Sequence, residues 1–264
     1  EELAVPKTFR DYNRVASFFT RGCNAASPTQ YGSTVAIGNV VVSPSEFMPR
    51  LFAENGRLLD SQGRITLDTP EALRALENYR ETYSYSDRTI YDFWKNALEG
   101  FADGTAAMTV VFINYASHIL NSQMSRIAGK LGFAPVPGGK PLLGGGVIGI
   151  AQSCTCPAAA CKFLEWLYAD LVAPVFTMLG GLSPCRSAYS NRDISEQYPW
   201  LSTARKSFPT AQRRSNSTYY QNFSELQLET ILAAHVQQAV LGVCSPEEAL
   251  KQAQEDCNRY FQPW

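Results

Sequence analysis

Apolar residues recur along this chain at alternating helical and strand-like spacings. Between Phe9 and Phe19 they follow a helical period behind Thr8, a residue type that favours the N-cap position. Thr69 and Ser245 each precede a proline and a glutamate, which combines a capping hydroxyl with a proline in the first helical turn. These signals predict helices that begin near residues 9, 70 and 246.

Short apolar or β-branched runs between the helices predict strands. Residues 31–37 and 106–112 have strand composition, and the second run is apolar throughout, as expected of a strand covered on both faces. A helix over 114–127 and further strands over 131–135 and 147–151 follow. Helices alternating with strands predict the α/β fold class, with several helices near the C-terminus.

Composition and charge narrow the class of protein. The 264 residues are 45% hydrophobic and 18% charged, with a net charge of −1. No helix concentrates Lys or Arg, so we expect no contact with nucleic acid. No apolar run approaches the roughly 20 residues that span a bilayer, and no signal sequence opens the chain, whose start resembles a cut from something longer.

The cysteines leave the cellular compartment open. There are seven, an odd number, and Cys154, Cys156 and Cys161 lie close together. Their spacing is not that of a zinc CxxC site, and the chain has only two histidines to complete a ligand set. We therefore predict no metal site and no cofactor.

Motifs for catalysis do not occur in the sequence. The G-x-S-x-G, H-E-x-x-H and phosphate-loop patterns are absent. The glycines at 144–146 precede a predicted strand instead of opening a helix, so they lack the aligned N–H groups that hold an anion. His118 and His235 fall on predicted helices without a nearby activated nucleophile. We predict that the protein is not an enzyme.

Aromatic and amide residues near strand ends suggest ligand binding. Tyr31, Asn114 and Tyr115 stand near the ends of the two clearest predicted strands. In open α/β sheets ligands collect at the carboxyl ends of strands. An aromatic ring there can stack on the C–H face of a sugar while an amide bonds its hydroxyls.

Seven short segments follow one another in an order that is informative: Pro6–Tyr12, Tyr31–Val35, Phe101–Met108, Gly132–Gly139, Gly144–Ile150, Ala159–Leu164 and Gly180–Pro184. Their order and spacing resemble those of bacterial extracellular solute-binding protein family 1, which includes maltose-binding proteins of ABC importers. The segment Phe101–Met108, FADGTAAM, is the most specific of them. Each motif is weak alone, whereas seven in order are strong.

The resemblance implies a periplasmic-binding-protein-like (type II) fold, consisting mainly of the C-terminal lobe. Residues 1–142 and 183–264 would form this second lobe. Residues 143–182 would form the hinge crossover and a remnant of the first, N-terminal lobe, whose first hundred residues or so would be missing. The ligand-binding residues implied by position are Tyr31, Asn114, Tyr115, Gly145, Gly146 and Arg186.

The function implied is that of a substrate-binding component of an ABC importer, which captures a sugar or oligosaccharide by lobe closure. Its partners would be a small solute and the permease subunits. Its location would be extracytoplasmic, periplasmic or on the cell surface, with any membrane contact through a missing lipid anchor. Two alternatives stay open: a cytoplasmic sensing domain fused to a DNA-binding regulator, and a binder of a solute that is not a sugar. A third, a glycosidase-like enzyme with paired carboxylates across a cleft, ranks last.

Overall fold

The computed structural model describes residues 3–38, 40–89, 93–190, 194, 196 and 198–264. The chain divides into two compact units. Unit 1 comprises residues 1–111, 136–143 and 210–264, and unit 2 comprises residues 112–135 and 144–209.

Unit 1 is a small parallel sheet with helices around it. Its elements are α1 (Phe9–Phe18), β1 (Tyr31–Thr34), α2 (Val42–Ala53), α3 (Pro70–Ser84), α4 (Trp94–Ala102), β2 (Ala106–Thr109), α10 (Glu225–Leu241) and α11 (Pro246–Tyr260). The predicted caps are confirmed at three of these helices. Thr8, Thr69 and Ser245 each accept a hydrogen bond from a backbone N–H in the first turn.

The core of unit 1 lies where α2, α3 and α10 pack together. Phe47 of α2, Leu76 of α3 and Val236 of α10 are fully buried there. The same region holds a buried ion pair, in which Arg50 Nη1 lies 3.0 Å from Glu46 Oε2. Buried charges are tolerated only when they are paired and hydrogen-bonded. Each of these two side chains therefore requires the other in the packed core.

Unit 2 is built from shorter helices. They are a 3₁₀ turn (Ile113–Tyr115), α5 (Ala116–Leu120), α6 (Pro157–Leu167), α7 (Ala173–Met178), α8 (Ser187–Ser190) and α9 (Pro199–Ser207). Trp200, Leu201 and Tyr189 form its core with four small alanines around them. No residue of α6 is buried, and Trp166 on this helix is 57% exposed.

Several predicted elements are shorter than expected or absent. β2 ends at Thr109, and all but its first residue are only half-buried, so the prediction of a strand covered on both faces was wrong. Residues 131–135 and 147–151, all described, form no helix or strand. Among the described residues, neither segment is paired with a strand. The predicted helix over 114–127 is limited to one 3₁₀ turn and α5.

The boundaries of units 1 and 2 differ from those of the predicted lobes. Residues 112–135 and 183–209 belong to unit 2 by their contacts, whereas we assigned them to the second lobe. Residues 144–182 belong to unit 2 as well. The correspondence between these units and the lobes of a hinged protein stays a prediction.

Candidate functional site

The two strands of unit 1 create the edge where a ligand is expected. β1 and β2 run parallel, with Tyr31 opposite Ala106 and Thr34 opposite Thr109. The Thr34 hydroxyl donates a hydrogen bond of 2.8 Å to Thr109 Oγ1, which joins the carboxyl ends of the strands. Because ligands of open α/β sheets collect outside these ends, residues that follow Thr34 and Thr109 define the candidate site in unit 1.

The chain beyond β1 is held in place by side chains from three helices. We call residues 36–38 the edge segment. Tyr79 donates to the Ala36 carbonyl at 2.6 Å, and Gln237 Nε2 donates to the Ile37 carbonyl at 2.8 Å. Ser43 Oγ donates to the Gly38 carbonyl at 2.5 Å. The carbonyl of every residue in the edge segment therefore accepts a hydrogen bond from a side chain.

The buried ion pair of α2 lies beside the edge segment. The Ala36 N–H donates to Glu46 Oε1 at 3.5 Å, and the Arg50 guanidinium stacks 4.8 Å from the centre of the Tyr79 ring. Burial raises the pKa of Glu46, and the charge of Arg50 opposes that rise. Burial also raises the pKa of the Tyr79 phenol, which keeps this hydroxyl protonated as a donor.

Sequence reasoning did not identify these holding residues. Tyr79, Gln237 and Glu46 are not among the predicted site residues. A glutamate and an arginine at i and i+4 in a helix usually form a solvated pair. The one available signal was that Glu46 and Arg50 share the buried helix face of Phe47 and Leu51.

Tyr31 is the first residue of β1, as the strand predicted over residues 31–37 implied. It therefore lies at the amino end of the strand, three residues from the carboxyl end at Thr34. The cavity beside it has a volume of only about 10 Å³, which is room for one water molecule and not for a sugar ring. Strand polarity places Tyr31 at this end, and its contact with ligand stays a prediction.

Asn114 and Tyr115 lie together in unit 2, in the 3₁₀ turn that leads into α5. Tyr115 N–H donates to the Phe112 carbonyl at 3.0 Å, which closes the turn. Asn114 is exposed, and its amide has no hydrogen-bond partner among the described residues. The turn therefore presents a free amide next to a half-buried aromatic ring, the pair of groups that suits a polyhydroxylated ligand.

The other predicted residues lie in exposed parts of unit 2. Gly145 and Gly146 belong to a fully exposed segment with no regular structure, and a Cβ at either glycine would meet no atom within 4 Å. Arg186 is exposed, and its carbonyl accepts hydrogen bonds from Tyr189 and Ser190 in α8. Among the described residues, no hydrogen bond or ion pair links Arg186 to either glycine or to the turn that contains Asn114. Their ligand contacts stay predictions.

Among the described residues, no group of three or more His, Cys, Asp or Glu side chains could hold a metal ion. None of the helices described combines the length and apolar character required to span a membrane.

Comparison with known proteins gives relatives and structural neighbours. A probable amino-acid ABC transporter periplasmic-binding protein of Sinorhizobium fredii is 21% identical over 199 residues, which is 74% of this chain and 44% of that protein. The structure of maltose-bound MalE3 of T. maritima has a TM-score of 0.82 at 22% identity, over 97% of this chain and 66% of that one. An ABC transporter solute-binding protein of Agrobacterium radiobacter in complex with ribitol has a TM-score of 0.78 at 22% identity, over 98% and 65%.

These comparisons establish fold and family. The structural likeness confirms the periplasmic-binding-protein-like (type II) fold predicted from the sequence. The chain spans less than half of the curated relative and about two thirds of each solved neighbour. The profile of the bacterial extracellular solute-binding protein family matches residues 1–203. The chain therefore belongs to the bacterial extracellular solute-binding protein family.

Proposed function

We propose that this chain is part of a substrate-binding protein that captures a sugar or polyol for an ABC importer. The family match over residues 1–203 is the observation that carries the proposal. The maltose- and ribitol-bound neighbours share the fold of the chain, and this supports a polyhydroxylated solute as the first choice. The work of such a protein is binding and release, without catalysis.

The described residues supply chemistry that suits this class of solute. In unit 1 the carboxyl ends of the strands carry two threonine hydroxyls and the fixed backbone of the edge segment. In unit 2 the Asn114 amide has donors and an acceptor without a partner among the described residues, and Tyr115 offers an aromatic face. Arg186 and the glycines at 145 and 146 complete the set that we propose for contact with the solute.

The properties of the whole protein are part of the same proposal. Lobe closure would follow if the solute makes contacts with both lobes, because such contacts exist only in the closed state. Permease subunits would be the protein partners, and the location would be extracytoplasmic. The family description, extracellular solute-binding protein, supports this location.

A second candidate solute is an amino acid. The Sinorhizobium fredii relative is described as a probable amino-acid ABC transporter periplasmic-binding protein. Arg186, exposed in unit 2, has the planar guanidinium that binds a carboxylate through two parallel hydrogen bonds. A solute with a carboxylate is therefore tested in the same experiment.

Titration calorimetry of the natural full-length protein tests the proposal against maltose, ribitol and a set of amino acids. We expect the wild type to bind maltose or ribitol, and Asn114→Ala to weaken that binding about fivefold, since one neutral hydrogen bond contributes about 1 kcal/mol. Asn216→Ala is the matched control, because Asn216 is an exposed asparagine of unit 1. Binding of an amino acid alone would favour the second candidate, and no binding at all would refute the proposed function.

A further inference from the structure

The edge segment is fixed in an unusual way for the end of a strand. The ladder between β1 and β2 ends at the pair Thr34 and Thr109. Beyond it, the carbonyls of residues 36, 37 and 38 accept hydrogen bonds from the side chains of Tyr79, Gln237 and Ser43. These donors come from α3, α10 and α2, so three separate helices fix three successive peptide groups.

Tyr79 and Gln237 both stand on helices that pack in the core of unit 1. Tyr79 is fully buried, and its ring packs against the Arg50 guanidinium, which is paired with Glu46. Gln237 is half-buried on α10, whose neighbours on the same helix face form the core with α2 and α3. The Tyr79 side chain therefore cannot turn away from the edge segment without losing its contacts in the core.

Such a network can affect binding as well as stability. Satisfying buried carbonyls is a general requirement of folding. The edge segment, however, leads directly out of the carboxyl end of β1, where the solute is expected. A mobile segment there would lose conformational entropy when a solute orders it, and a segment that is already ordered avoids that loss.

We propose that Tyr79 and Gln237 are positioning residues that hold the edge segment in its solute-binding conformation through hydrogen bonds to Ala36 and Ile37. The inference rests on the proposed function, because it concerns the same site. Neither residue touches the solute in this proposal, and both act through the backbone that they hold.

Tyr79→Phe and Gln237→Leu test the proposal, since each removes a donor while keeping most of the side-chain volume. Tyr83→Phe is the matched control for the first. It lies one turn later in α3, is also buried, and donates to the Arg88 carbonyl at 3.2 Å, away from the edge segment. Gln238→Leu, an exposed neighbour on α10, is the control for the second.

Two readouts separate positioning from a structural role. We expect the affinity for maltose or ribitol to fall about fivefold to tenfold in Tyr79→Phe and Gln237→Leu, and to stay unchanged in the controls. In the ligand-free protein, amide hydrogen exchange over residues 36–38 should be about tenfold faster in the two test variants alone. Equal losses of affinity in the test and control variants would overturn the proposal.

The experiment also separates this inference from the proposed function. If the wild type binds no member of the panel, the proposed function fails, while hydrogen exchange still measures whether Tyr79 and Gln237 hold the edge segment. Unchanged exchange over residues 36–38 in both test variants would refute the inference, whatever the solute. Faster exchange with unchanged affinity would show that the segment is held but does not serve binding, which also refutes it.

Discussion

The buried pair of Glu46 and Arg50 allows the sharpest test of the energetics of unit 1. The two side chains are 5% and 2% exposed, and their charged atoms lie 3.0 Å apart. At an effective dielectric constant of about 20, this separation corresponds to an attraction of about 5 kcal/mol before desolvation is counted. Desolvation offsets much of that attraction, so the intact pair contributes little, whereas a lone buried charge is costly.

Arg50→Met keeps most of the side-chain volume but leaves the Glu46 carboxylate without its partner. We expect the free energy of unfolding to fall by about 3–5 kcal/mol at pH 7. The double variant Glu46→Gln/Arg50→Met removes both charges and keeps an acceptor for the Ala36 N–H. Its free energy of unfolding should therefore be at least about 2 kcal/mol higher than that of Arg50→Met. Urea unfolding followed by circular dichroism measures both differences.

The dependence on pH gives an independent check. Burial raises the pKa of Glu46 and Arg50 opposes the rise, so Arg50→Met raises this pKa further. A carboxyl with a higher pKa in the folded than in the unfolded protein destabilises the fold as pH rises above the unfolded value. The excess instability of Arg50→Met over the double variant should therefore be large at pH 7 and shrink as pH falls from the raised folded pKa of Glu46 towards the unfolded value of about 4. Below that value it should be lost, because the carboxyl is then protonated in both states.

Two results would refute this reasoning. One is a double variant that loses as much stability as the sum of Glu46→Gln and Arg50→Met, because the two residues would then be energetically independent. The other is an excess instability of Arg50→Met that is the same at pH 4 and pH 7, because the cost would then not come from the carboxylate charge.

Three further predictions follow from packing and burial. Gly32→Ala should lower the free energy of unfolding by about 3 kcal/mol, because the added Cβ would lie 1.7 Å from a carbonyl oxygen of α1. In the same urea titration, the control Gly22→Ala should change it by less than about 0.5 kcal/mol, because that Cβ would meet no atom within 4 Å. Trp200→Ala should cost about 3–5 kcal/mol, because this side chain is 1% exposed in the core of unit 2; thermal unfolding with a loss below about 1 kcal/mol would contradict that packing. Burial raises the pKa of Cys257 to about 12. Iodoacetamide at pH 8 should therefore label the exposed Cys161 of the folded protein and leave Cys257 unlabelled. Mass spectrometry of the peptides measures the labelling, and a labelled Cys257 would contradict the prediction.

The sequence by itself determined the features that depend on local chemistry and on motif order. Helix starts at Thr8, Thr69 and Ser245 were predictable, because an N-cap needs only a hydroxyl and the next three residues. The type II fold and the family followed from seven weak motifs in order, and both are confirmed.

Tertiary structure alone decided the extent of the strands and the arrangement of the site. The apolar segment 147–151 has strand composition, but a strand requires a hydrogen-bonding neighbour that composition does not specify. The parallel pairing of β1 with β2, which sets Tyr31 opposite Ala106, is likewise recorded by no local pattern. Tyr79 and Gln237 lie 43 and 200 residues from the carbonyls that they hold, so only the tertiary packing that brings α3 and α10 to the edge segment joins these groups.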